Sequence, residues 1–223
     1  MVNTGGGEAK RRRPGRPTAD EAGEGETRAR IIWAAVELFQ QRGYAAVSIG
    51  DIAAAVGVTK ATLYYHFSGK DAIYTAVMCQ SLEAIARGVR QITRLPVPLR
   101  DRLYQVAAYP LLELSSDANL DAMMRDAHQH LTPAQRDEIA AAHRDTMGAF
   151  EELMRSGIDR GELKPVDPRV LAHAFFHLVE AFRGQLGAET GFRGRPAIVD
   201  AVVDLFLYGT APPAAPNVPA AHN

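Results

Sequence analysis

A chain of 223 residues, 47% apolar and 7% aromatic, is long enough for one or two domains with a sizeable core. Its net charge of −1 does not by itself point to nucleic acid, and a single cysteine excludes an intrachain disulfide and gives no sign of an oxidising compartment. No run nears the roughly 18–20 apolar residues that span a bilayer, and the basic start lacks the apolar stretch of a signal peptide, so a cytoplasmic protein is expected.

Charge is unevenly spread. Residues 1–80 hold 10 of the 25 Lys and Arg and 8 of the 26 Asp and Glu, so the rest of the chain is acidic. Lys10, Arg11, Arg12, Arg13 and Arg16 concentrate the basic side near the start, which suits a nucleic-acid end and a neutral-to-acidic body. Residues 1–25 lack periodicity and are rich in Gly, Arg, Pro, Ala and Glu, the composition of a disordered basic arm. Within RRRPGRP, Arg13 and Arg16 are candidate DNA contacts, either entering a narrow minor groove or adding attraction to phosphate without sequence preference. A first helix is predicted from about Thr27 to Arg42, burying Ile31, Ala35, Leu38 and Phe39, with Gly43 at its C-terminal end. Trp33 falls off that stripe, either packed against the body or partly exposed.

The stretch AVSIGDIAAAVGVTKATLYYHFSGK, residues 46–70, carries the densest signal. Ser48 and Asp51 read as a capping box opening a short helix, which Gly57 ends by allowing a left-handed turn. Thr59 caps a second short helix, whose Leu63 and Phe67 share one side. Lys60, Thr62, Tyr64, Tyr65 and His66 supply hydrogen-bond donors on the other. Two short helices around a tight turn, the second with a donor-rich outer face, describe a helix-turn-helix whose second helix enters the major groove.

The span Thr27–Met78, above all G-V-T-K-A-T-L-Y-Y-H-F-x-x-K, resembles the DNA-binding domain of the tetracycline-repressor (TetR) family. Residues at the start of a reading helix approach the bases, which points to Thr59, Lys60 and Thr62; Tyr64, Tyr65, His66 and Lys70 suit phosphate, and Ser48 joins the candidate DNA-binding set. The resemblance implies the same roles. Gly50 departs from it, standing where family members often present a long side chain to a base. Either the glycine lets backbone approach phosphate closely, or readout rests more heavily on Lys60 and the arm.

Ser68 and Asp71 repeat the capping-box pattern and predict a long helix to about Gln91 or Arg94, stopped by Pro96 and Pro98. Cys79, within it, reads as a buried structural thiol. Helical segments are predicted over 99–115, 118–130, 133–161, 167–188 and 196–208, with no strand pattern, and the Pro/Ala-rich tail reads as disordered. The expectation is an all-α fold. A three-helix helix-turn-helix domain, 26–70, precedes a larger helical ligand-binding and dimerisation domain, 71–209, and a disordered tail, 210–223.

The body shows no catalytic motif, and no enzyme activity, cofactor or metal is expected. His173 and His177 lie at i, i+4 in a mostly apolar stretch that favours core or interface over ligation. The last two helices are apolar over wide arcs. Phe175, Val179, Phe182, Val202, Leu205 and Phe206 are candidates for a two-fold interface, as the resemblance implies, with protomer core on other faces. An effector pocket is expected from Tyr104, Tyr109, Met123, Met124, His128, Met147, Phe150 and Phe176, which suit a small apolar or aromatic ligand. The function expected is a homodimeric, ligand-responsive repressor bound to a pseudo-palindromic operator. The alternatives are an all-α enzyme or a non-specific DNA-binding protein.

Overall fold

The structure, a computed structural model, describes residues 19–108, 110–111, 130–183 and 196–208. Among these, eight helices occur and no strand: α1 (Ala19–Ala46), α2 (Ile49–Val56), α3 (Lys60–His66), α4 (Lys70–Thr93), α5 (Leu99–Ala108), α6 (Pro133–Asp159), α7 (Pro168–Arg183) and α8 (Pro196–Tyr208). The all-α expectation holds. No described helix is long and apolar enough to cross a membrane. The basic arm with Arg13 and Arg16, and the tail, lie outside the described residues apart from Ala19–Gly25, which form the start of α1 rather than a disordered segment.

Local chemistry explains the element ends. Gly43, at φ 75° and ψ 163°, interrupts α1 where the cap was expected, and Tyr44 and Val47 fold back into the core. Thr132 and Gln135 close a capping box ahead of Pro133, which opens α6. The capping box expected from Ser68 and Asp71 does not form. Gly69 stands at the N-cap of α4 with no side-chain cap bond, because Asp71 instead accepts a hydrogen bond from the Tyr44 hydroxyl.

The buried side chains form two cores. The first joins Ile31, Phe39, Tyr44, Ile52, Leu63 and Phe67 to the first half of α4, and also takes in Leu131 and Ile139. The second joins Ala86 and Val89, late in α4, to α5, α6, α7 and α8. Residue 70 therefore marks a change of element and not of core: α4 belongs to both. It is fastened to α6 by Thr146, whose buried hydroxyl donates to the Leu82 carbonyl at 3.0 Å, and by Arg90, whose two terminal nitrogens reach the Asp145 carboxylate at 2.8 and 3.0 Å. Arg100 ties α5 to α8 through Asp200 and Asp204.

Candidate nucleic-acid interface

The helix-turn-helix is built from the caps outward. The Ser48 hydroxyl accepts from the Asp51 amide at 3.2 Å and donates to the Asp51 carboxylate at 2.5 Å, while the Ser48 amide donates to the same carboxylate at 2.8 Å. These bonds hold the Asp51 carboxyl below the usual carboxylate range. Gly57, at φ 75°, takes the left-handed turn between the helices. Thr59 then caps α3, its oxygen accepting from the Thr62 amide at 3.1 Å and lying 2.9 Å from the Thr62 hydroxyl. Leu63 and Phe67 are buried and lock α3 onto the core.

What remains outward is a ridge of donors. Tyr64 is 56% exposed and Tyr65 71%, the latter edge-on to His66 at 5.2 Å between ring centres. Lys60 is exposed; Thr62 and His66 are half-buried. Ser48 thus caps α2, and Thr59, Lys60, Thr62, Tyr64, Tyr65 and His66 cap or lie on α3 with at least part of each side chain exposed.

Lys70 differs. Its ammonium donates to the Tyr44 carbonyl at 2.9 Å and sits 4.1 Å from the centre of the Tyr44 ring, so in this conformation it faces inward instead of towards a phosphate. Tyr44 is a hub whose partners across the fold the sequence did not show: Phe39, Tyr74 and His130 all lie within 5.8 Å of its ring centre. Burial first, then the Asp71 carboxylate, keep its phenol protonated well above the ordinary range. Arg30 was missed as well, and donates at 2.8 Å to the Val56 carbonyl at the end of α2. Neither contact leaves a local signal, because each joins residues 26 or 27 positions apart.

In the body, Met147 and Phe150 are buried in the second core, with Tyr104 and Phe176 packed against it; Tyr109, Met123, Met124 and His128 lie outside the described residues. A cavity of about 400 Å³ opens elsewhere, beside the first core, where Tyr74, Leu131, Ile139, His143 and Arg144 meet. Burial, with His173 and His177 adding to it, lowers the proton affinity of His143. Of the expected interface residues, Phe175, Val179 and Val202 are enclosed in the protomer's own core, Phe175 packing on Phe150 and Phe206. Phe182 and Phe206 are half-buried and Leu205 is exposed. The exposed side chains of α7 and α8 include Val170, His173, Ala174, His177, Leu205 and Tyr208, with the two histidine rings stacked at 6.0 Å.

Residues 31–77 match the family described as bacterial regulatory proteins, tetR family, and residues 96–183 match the tetracyclin repressor-like C-terminal domain. The transcriptional activator FasR of Mycolicibacterium smegmatis is 41% identical over 78 residues, 35% of this chain and 36% of that protein. The transcriptional repressor KstR2 of Rhodococcus jostii is 24% identical over 152 residues, 66% of this chain and 74% of its own. The fold is that of FadR from Bacillus subtilis, solved in complex with stearoyl-CoA: TM-score 0.68 at 20% identity, over 82% of this chain and 99% of that one.

Proposed function

The chain belongs to the TetR family of bacterial transcriptional regulators, and from that premise we propose that it is a cytoplasmic repressor, binding a pseudo-palindromic operator as a homodimer and released by a small apolar effector. The observation that carries this is the outer side of α3. Tyr64 and Tyr65 stand exposed while Leu63, directly behind them, has no exposure at all, an arrangement that spends large rings on an outside surface. Thr59, Lys60 and Thr62 would meet base edges. Tyr64, Tyr65, His66 and Ser48 would meet backbone, and Lys70 would join them on leaving Tyr44. A two-fold dimer would set two such heads one helical turn apart on the duplex. No catalytic role is assigned.

The relay follows from packing. Because α4 is shared by both cores, a body that changes its grip on Leu82 or Arg90 moves the helix on which Tyr44 and the reading head rest. The effector is the finer question. Stearoyl-CoA, the molecule bound to FadR, is the first probe to try. Fluorescence anisotropy with the DNA flanking this gene is the test, at about 150 mM salt, where phosphate attraction is screened. The expected result is saturable binding to one sequence over scrambled DNA. An effector that weakens it is expected to bind the operator complex more weakly by the same factor. Equal affinity for all sequences would defeat the proposal.

A further inference from the structure

Gly50 lies in the first turn of α2 and Lys60 opens α3. A Cβ placed on Gly50 would fall 3.1 Å from Lys60 Cε, 3.5 Å from Lys60 Nζ and 3.5 Å from Ser48 Oγ. The end of the Lys60 side chain therefore crosses from one helix to the other and rests in the space that any side chain at position 50 would take. The ammonium faces the positive end of the α2 dipole, and the acid of that turn, Asp51, is engaged by Ser48. Among the described residues no carboxylate pairs with it. Its N–H donors remain available to an acceptor from outside, whereas those of Lys70 are turned to Tyr44.

We propose that Lys60, aimed by the open space at Gly50, sets the sequence preference of the reading head by donating to guanine at one position of each half-site. This rests on the operator-binding function above and deepens it. The ammonium lies where the starts of two helices converge, the end of a helix-turn-helix that meets base edges; Tyr64 and Tyr65 lie further along, towards backbone. Among the bases only guanine offers two major-groove acceptors side by side, O6 and N7, which suits a compact cation with several donors. Gly50 thus acts as a specificity determinant by having no side chain.

The test is site selection from a randomised duplex pool with full-length protein, followed by anisotropy on the selected site and its single-base variants. The wild type is expected to favour guanine about tenfold or more at one position per half-site. Lys60→Ala removes that preference and leaves the others, while Lys60→Arg, which also matches guanine, retains it. Gly50→Leu fills the space and abolishes the same preference; Gly50→Ala, from which a flexible lysine end can withdraw slightly, reduces it. The double variant Gly50→Leu/Lys60→Ala is no worse than Lys60→Ala alone. Thermal melting no lower than that of the wild type keeps misfolding out of the comparison. Uniform weakening across all sequences by Lys60→Ala would make it a phosphate contact and overturn the proposal, as would additive effects in the double variant. Absence of any preferred sequence for the wild type would instead remove the operator-binding function itself.

Discussion

Arg102 is a guanidinium that water does not reach. Its terminal nitrogens donate to Glu162 at 2.6 Å and to Ser156 at 3.0 Å, while its Nε is buried without a partner among the described residues. Burial lowers its proton affinity and the Glu162 carboxylate restores part of it. Glu162 also accepts the Leu99 amide at 2.6 Å, so one carboxylate serves a buried cation and the start of α5. Glu162→Gln is expected to cost about 3 kcal/mol in urea unfolding, the low end for a broken buried pair, because the Glu162 side chain keeps 26% exposure. Adding Arg102→Met should recover much of that loss, since an apolar side chain replaces a stranded buried charge. Cys79 gives a second test at this scale. Burial, with Glu138 and Glu83 beside it, pushes its thiol from 9.0 up to about 11. The folded chain holds that proton more tightly than the unfolded one, so this contribution to stability is intact below pH 9 and fades between 9 and about 11. Iodoacetamide at pH 8 should label the native protein roughly a hundredfold more slowly than the urea-unfolded one, from the thiolate fraction alone. Equal rates would show that the thiol is open to water.

Helices of this chain begin and end largely where nearby residues dictate, and two glycines show where that stops. Gly50 and Gly157 both sit inside helices, so replacing either by Ala gains roughly 1 kcal/mol of helix propensity. At Gly50 the crowded neighbour is the end of a lysine, which moves cheaply. At Gly157 a Cβ would meet Leu99 Cδ2 at 2.8 Å and Leu163 Cδ1 at 3.1 Å, and Leu99 is buried. Overpacking there costs about 1–3 kcal/mol and outweighs the propensity gain. Thermal melting should therefore rise for Gly50→Ala and fall for Gly157→Ala, although both changes look alike in sequence. The same division explains what was legible. The caps at Ser48–Asp51 and Thr59, and the turn at Gly57, were readable because the cap donors and acceptors lie within three residues. Ser68–Asp71 misled, since Tyr44, 27 positions away, competes for the same carboxylate. The inward clasp of Lys70 was hidden for that reason too. Phe175, Val179 and Val202 were placed at an interface because a helix apolar over a wide arc does not say which neighbour covers which face.

At the scale of the molecule, that ambiguity becomes a question about assembly. The exposed side chains of α7 and α8 include Val170 at 59% exposure, Leu205 at 37% and Tyr208 at 70%, together with His173, Ala174 and His177. The hydrophobic ones are not needed by the protomer's own core, and small residues among them allow a second helix pair to come close. Charge can be placed there without disturbing the fold, which separates assembly from stability. Val170→Arg combined with Leu205→Glu is expected to give a monomer by sedimentation, with melting of the protomer's helices preserved. The consequence for DNA is larger than the loss of any contact. A dimer that has seated one head holds the second near its half-site at high effective concentration, a benefit of about 10²–10⁴ in affinity. The monomeric variant should therefore lose at least a hundredfold on the full operator while matching the wild type on an isolated half-site. It should do so with the Lys60 contact to base intact, because neither substitution touches α2 or α3. If the variant stayed dimeric and bound normally, the pairing surface would lie elsewhere, and the spacing of the two heads would have to be set by another part of the body.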